Sequence, residues 1–238
     1  MFHPAQVEAL LFDVFGTVVD WRSSIIAELT AFGQTKGLNA DWAQVTDEWR
    51  GLYQPSMEAV RTGKRAWTIL DVLHRESLDT LIAKHGLTGL SEADIDHLNK
   101  AWHRLKPWPD VVDGLKRLKT KRIIGTLSNG NVGLLTRLAK NSGLPWDVVL
   151  GAETAQAYKP LPQAYLRAAS LLNLPPERCM LVAAHNDDLA AAAAQGLRTA
   201  YVNRPTEHGP HQKRDFKATR AWDIVTDSFG GVAEALGC

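Results

Sequence analysis

Four short segments of the chain carry residues able to do chemistry on a small molecule. In Phe12-Asp13-Val14-Phe15-Gly16-Thr17 a carboxylate ends an apolar run beside a glycine turn. A carboxylate so placed can act as a nucleophile, because it can form a covalent ester. The same Asp also fits a turn or capping role. Leu127-Ser128-Asn129-Gly130 offers hydroxyl and amide donors ahead of a helix, where free N–H groups and the helix dipole favour an anion. Ser-Asn is equally a common helix cap. Tyr158-Lys159-Pro160 sets a lysine before a proline-started helix, and His185-Asn186-Asp187-Asp188 follows another apolar run. A lone lysine is ordinarily a solvated surface charge. Singly each segment is ambiguous; their order along the chain is what gives them meaning.

Strands have to bring these residues together. The apolar runs 9–15, 122–127, 179–184 and 198–202 read as buried strands, each ending in polar residues or glycine. Between them, 109–121, 132–143, 161–173 and 188–196 are helical in pattern, the last carrying five alanines that favour helix and close packing. The alternation predicts an α/β fold, a parallel sheet covered by helices. Ligands of such sheets bind beyond the carboxyl ends of the strands, where the four segments converge. Residues 21–105 differ: they are helical in pattern, rich in Trp and Arg, and hold no convincing strand. Ser91 is placed to cap the stripe over 91–105. The segment reads as a helical cap inserted after the first strand, with the chain re-entering near Pro107–Pro109. The expected organisation is a core of 1–20 and 106–238 and a cap of 21–105.

With 238 residues, 45% of them apolar and 22% charged, the chain can bury a core and carry an insert. A formal net charge of +1, with no basic stripe, argues against nucleic acid and against a polybasic membrane patch. The N-terminal stretch has acidic residues within its apolar run and no small-residue cleavage site, unlike a signal peptide. No run approaches the roughly 18 apolar residues of a membrane span. Two cysteines, Cys179 and Cys238, make no disulfide framework, so a reducing cytoplasm is expected. Eight tryptophans leave core packing, a pocket lining and a homodimer interface all open.

In this order and context the segments resemble the haloacid dehalogenase superfamily, which includes many phosphatases. The resemblance covers essentially the whole core: Asp13 through Thr17, Ser128, Lys159, and Asp188 with the alanine-rich helix to Gly196. It implies a Rossmann-like core, a helical cap and Asp13 as nucleophile. Phosphatases of the superfamily place a second Asp two residues after the nucleophile, where this chain has Phe15. They also place a Mg²⁺-binding Asp four residues ahead of a second acid, where this chain has Ala184, with Asp188 the surviving acid. Losing a carboxylate weakens a Mg²⁺ site greatly, so neither metal nor cofactor is expected.

What remains is similar to the type II L-2-haloacid dehalogenases. Phe15 matches their aromatic after the nucleophile, Trp49-Arg50 their cap Trp-Arg pair, and Tyr165 the tyrosine after their lysine; Trp67 is a candidate aromatic wall. The resemblance implies metal-independent hydrolysis of a short 2-haloacid to a 2-hydroxyacid and halide. It runs through an ester on Asp13 with inversion at C2. Lys159 keeps Asp13 ionised, Ser128 and backbone N–H groups dock the substrate carboxylate, and Arg50 and Asn129 meet the departing halide. Asp188 activates a water positioned by His185 and Thr17. Two departures stand out: Ala183 where the family has serine, and His185 where it has asparagine. His185 either takes over part of the water-handling work or is simply a packed histidine. Three alternatives stay open: ring opening of an azetidine-2-carboxylate-type substrate by the same nucleophile, a phosphatase, and a binding protein with a relic motif.

Overall fold

The computed structural model describes residues 3–238; Met1 and Phe2 of the N-terminal stretch lie outside them. Strand β1 (Ala9–Phe12) leads through a short β2 (Val19–Asp20) into helices α1 (Trp21–Lys36), α2 (Trp42–Arg61), α3 (Leu70–Lys84) and α4 (Glu92–Asn99). The chain returns through β3 (Lys106–Pro107), antiparallel to β2 with Val19 opposite Pro107. It then runs through α5 (Val111–Lys119), β4 (Ile123–Thr126), α6 (Val132–Ser142) and α7 (Pro162–Leu171). The last third holds β5 (Cys179–Ala183), α8 (Asn186–Ala194), β6 (Arg198–Val202), β7 (Ile224–Thr226) and α9 (Phe229–Ala235).

The main sheet is parallel, in the order β4-β1-β5-β6-β7. Helices flank it, the Rossmann-like arrangement the sequence predicts. Side chains alternate across a strand, and here both faces are covered. Leu10 and Phe12 enter one core cluster, while Ala9 and Leu11 enter the other. That is why β1 reads as an unbroken apolar run rather than an alternating one. Register then decides where the chemistry sits. Phe12 lies level with Thr126 of β4 and Val182 of β5, so the residues that follow all three strands emerge at one rim.

Strand β7 has no counterpart in the sequence reading. It is a three-residue edge strand with Val225 55% exposed, too short and too open to leave an apolar run. The helix expected over 91–105 is also shorter, with α4 ending at Asn99 and a 3₁₀ turn following.

Local chemistry starts the helices of the 21–105 segment. The Asp20 carboxylate accepts from Ser23 N–H at 3.0 Å, and Asp41 from Gln44 N–H at 2.9 Å. Ser91 and Asp94 form a reciprocal capping box. Trp49 and Trp102 from this segment are fully buried in the same cluster as Leu10 and Phe12. Polar links join it to the sheet side: Asn131 Nδ2 donates to Asp71 Oδ2 at 3.0 Å, and Arg61 Nη1 to the Lys159 carbonyl at 3.0 Å. No helix among the described residues is long and apolar enough to cross a membrane.

Candidate active site

Asp13 leaves β1 still tied to the sheet, its N–H donating to the Val182 carbonyl at 3.1 Å. The chain then turns through Gly16 at φ +91°, where a Cβ would collide with the Glu207 carboxylate. Only glycine suits both demands. This turn swings Thr17 back over the strand end. Its hydroxyl donates to Asp13 Oδ2 at 2.7 Å and accepts from Ala184 N–H at 2.9 Å, fixing the carboxylate against the end of β5.

Lys159 supplies the charge opposite. Its Nζ lies 2.9 Å from Asp13 Oδ1 and 2.5 Å from Asp188 Oδ2. Two further contacts position the ends of this chain of charges. Asn129 Oδ1 accepts from the Lys159 N–H at 2.8 Å, and the Tyr165 hydroxyl donates to Asp188 Oδ1 at 2.6 Å. Burial alone would push the Asp13 carboxyl up. The Lys159 ammonium and the His185 ring reverse this and hold it well below the ordinary carboxylate range. Burial likewise opposes the charge on Lys159, yet Asp13 and Asp188 keep it well above the usual lysine value.

His185 adds a second cationic neighbour. Its Nδ1 stands 3.1 Å from Asp13 Oδ2 and its Nε2 is 2.8 Å from Glu207 Oε2. Glu207 is 1% exposed, and its other oxygen accepts from Trp21 Nε1–H at 2.9 Å. Although burial disfavours both charges, the pair holds Glu207 down to about 2 and His185 well above the ordinary histidine value.

These groups open onto a cavity of about 600 Å³, whose lining includes Phe15, Arg50, Tyr53, Asn129 and Tyr165. The Phe15 ring packs edge-on to Trp102 and Tyr53, at 5.9 and 6.4 Å between centroids, so position 15 presents carbon rather than a proton donor. Arg50 reaches in from α2 with its guanidinium over the Tyr53 ring at 4.1 Å and the Trp21 ring at 5.1 Å. Its Nη1 is buried with no hydrogen-bond partner among the described residues.

Asp13, Phe15, Asn129, Arg50, Lys159, Tyr165, His185 and Asp188 thus meet around one cavity, with Thr17 just behind Asp13. Ser128, next to Asn129, is 4% exposed; its oxygen accepts from Gly130 N–H at 3.1 Å, which leaves the hydroxyl proton to donate. Trp67 stacks obliquely on Tyr158 at 4.9 Å and does not line the cavity; Phe15 and Tyr53 form its aromatic wall. Glu207, which the sequence reading does not select, sits in a polar loop after β6 with no fixed spacing to the other segments. The sole signal for it is the histidine at 185, which needs a buried partner. Among the described residues no cluster of three or more His, Cys, Asp or Glu is arranged to hold a metal ion.

A parallel sheet with an ionised, buried aspartate at the tip of a central strand, opening on a partly apolar cavity, defines an α/β protein that presents a carboxylate to a small molecule. A model of the haloacid dehalogenase-like hydrolases matches residues 7–196, and the chain belongs to that family. It is similar to a defluorinating L-2-haloacid dehalogenase of known structure, with 48% identity and a TM-score of 0.95 over 98% of this chain and 96% of that one. A second L-2-haloacid dehalogenase structure shares 44% identity at a TM-score of 0.94, covering 97% of this chain and 99% of the other. In sequence, an (S)-2-haloacid dehalogenase of Pseudomonas putida is 25% identical over 218 residues, 90% of this chain and 91% of that protein.

Proposed function

We propose that the protein hydrolyses short L-2-haloacids to D-2-hydroxyacids without a metal, through an ester on Asp13, with residues 21–105 serving as a cap over the catalytic core. One observation carries the reading. The Asp13 carboxylate is buried and kept ionised by the Lys159 ammonium, which it shares with Asp188, at the floor of a cavity walled by Phe15 and Tyr53. An anionic nucleophile facing carbon suits displacement at an sp³ centre. A phosphate dianion would meet the same negative charge with no proton donor at position 15 and no carboxylate at Ala184. The two relatives at 48% and 44% identity, both named as L-2-haloacid dehalogenases, support the same substrate class.

The proposed steps run as one displacement and one hydrolysis. The ionised Asp13 attacks C2 from the side opposite the halogen; the new O–C bond forms as the carbon–halogen bond breaks, and the carbon inverts. The leaving halide needs donors where negative charge develops. Arg50, with its unpartnered Nη1, and Asn129, whose Oδ1 is already held by the Lys159 N–H, supply them. Asp188 then takes a proton from water that attacks Cγ of the ester. Cleavage there leaves C2 untouched, so the inverted configuration persists in the product.

The test is halide release from L- and D-2-chloropropionate and from fluoroacetate, each with EDTA present. Chloride and D-lactate from the L-enantiomer, undiminished by chelator, are the expected result. Activity that requires added Mg²⁺, or phosphate release in its place, overturns the reading. Fluoride from fluoroacetate would extend it to the property for which the 48% relative is named.

A further inference from the structure

We propose that His185, held as an imidazolium between the Asp13 and Glu207 carboxylates, is the oxyanion donor for hydrolysis of the Asp13 ester, and that Glu207 is the positioning residue that keeps it charged. The inference rests on the dehalogenase reading above. Ionised carboxylates only accept hydrogen bonds, and each ring nitrogen of His185 faces one, at 3.1 and 2.8 Å. Nε2 has hydrogen-bond geometry to Glu207 and Nδ1 makes an ion-pair contact with Asp13, an arrangement that favours a proton on both nitrogens. Trp21 Nε1–H on the other oxygen of Glu207 fixes that carboxylate in place, and Gly16 makes room for it. The directions in which the two groups titrate agree: Glu207 is held at about 2 and His185 is raised well above its ordinary value.

Geometry also assigns the two oxygens of Asp13 different work. Oδ2 already accepts from Thr17 at 2.7 Å and faces His185 Nδ1, whereas Oδ1 faces only Lys159. Oδ1 is the oxygen that attacks and becomes the ester oxygen; Oδ2 becomes the ester carbonyl. When water adds to Cγ, its proton goes to Asp188 and the carbonyl electron pair moves onto Oδ2. Negative charge then develops between the Thr17 hydroxyl and the imidazolium. Collapse breaks the Cγ–Oδ1 bond, and the departing alkoxide takes a proton from Lys159. Asp188, 2.5 Å away, returns its proton to the lysine. Asp13 is regenerated as a carboxylic acid holding the water oxygen and gives its remaining proton to solvent, and His185 gains and loses nothing.

The charged groups facing His185 are Asp13, just after β1, and Glu207 from the loop after β6, whose other oxygen has the His208 ring 3.5 Å away. Lys159 and Asp188 lie across Asp13, and Arg50 acts on Glu207 from α2. Once Asp13 is an ester it carries no charge, so removing the Glu207 charge leaves the imidazolium with no carboxylate facing it. The experiment compares wild type, Glu207→Gln and His185→Asn on L-2-chloropropionate, from below the ordinary histidine pKa of about 6.5 up to about pH 9. Intact-protein mass reads the ester and D-lactate reads turnover. Wild type is expected to turn over evenly across the range with no accumulated ester. In Glu207→Gln, hydrolysis slows about tenfold as pH rises through the histidine pKa, and the propionate ester accumulates at the alkaline end. His185→Asn places the family's uncharged amide there, so its ester is expected to hydrolyse more slowly than in wild type and without a pH dependence through the histidine range. A folded Glu207→Gln protein whose pH profile parallels wild type overturns the proposal, as does equal slowing of alkylation and hydrolysis in both variants. Ring ¹⁵N resonances of wild-type His185 give a reading independent of turnover: two protonated nitrogens at about pH 8 are expected, more than a unit above the free histidine value, and a neutral ring overturns the proposal. Wild type that releases no chloride overturns the dehalogenase reading itself, while those resonances still report the charge on His185.

Discussion

Lys159 Nζ and Asp188 Oδ2 stand 2.5 Å apart, although 29 residues separate them in the chain. The same ammonium lies 2.9 Å from Asp13, so one buried cation serves the buried Asp13 and the half-buried Asp188. Lys159→Met removes it and leaves two like charges facing each other, which raises the pKa of one of them. Chloride release is expected to fall at least about a hundredfold. Unfolding free energy at neutral pH should drop by about 3–5 kcal/mol. Because a raised carboxylate takes up a proton on acidification, the stability deficit should shrink as pH falls toward about 5. Urea melts of both proteins at two pH values check this; a deficit that is constant or grows with acid contradicts the pairing.

Asp188 is held from both sides, by Lys159 on one oxygen and Tyr165 on the other. It thereby shares with Asp13 the ammonium of Lys159. Asp188→Asn keeps the shape and loses the proposed base. Alkylation of Asp13 should proceed while ester hydrolysis slows by a factor of about 10²–10⁴, so one equivalent of halide is released in a burst. Intact-protein mass should show the substrate acid attached once per chain. Loss of turnover with no adduct and no burst would give Asp188 a different role.

Much of this arrangement is legible in the chain itself, and for a physical reason. A strand buried on both faces has to be apolar throughout, so β1, β4, β5 and β6 announce themselves. Register then carries Asp13 and His185 to one rim without further information. Lys159 and Asp188 are legible because they flank helices that begin at that rim. Glu207 and Arg50 belong to a different category. Glu207 comes from a loop whose path depends on tertiary contacts with Trp21 and His185, and nothing in the local pattern of Arg204 to Gly209 marks one acid as buried. Arg50 is read through resemblance, since on a helix it looks like any solvated arginine. Trp67 misses the cavity lining because position near a motif does not fix side-chain direction: its ring packs on Tyr158.

Arg50 is stacked between rings with one nitrogen unpartnered, which amounts to a desolvated cation awaiting an anion. A hydrogen bond to a charged group contributes about 1.5–3 kcal/mol. Arg50→Gln should therefore lower kcat/KM by about 10–100-fold. If the guanidinium meets the departing halide, the loss falls in kcat and is larger for chloride than for the more polarisable bromide. If it grips the substrate carboxylate, KM rises and the two halides suffer equally. Steady-state kinetics on L-2-chloro- and L-2-bromopropionate separate the two outcomes, and an unchanged kcat/KM would remove Arg50 from the site.

His74 gives the acid limb of the stability curve. It is 2% exposed, stacks on Trp102 at 4.4 Å between centroids, and has neither ring nitrogen hydrogen-bonded among the described residues. Burial pushes its pKa down to about 3, with Asp71 only partly opposing. The native ring stays neutral where the unfolded one, at about 6.5, is charged. Between those values the unfolded chain binds the extra proton, so His74 withdraws stability as pH falls from about 6.5 toward 3. The slope reaches up to about 1.4 kcal/mol per pH unit. Glu207, held at about 2, subtracts further once pH drops below the ordinary glutamate value, about 4.3. His185 runs the other way: its raised pKa contributes stability that is complete below about 6.5 and is lost only as pH climbs through the raised value. His74→Phe keeps the stacked ring and removes the titrating group. Its unfolding free energy should therefore fall less than that of wild type between about pH 7 and pH 4.5. Denaturant melts at the two pH values measure the difference, and parallel losses in the two proteins would show that His74 is not held neutral.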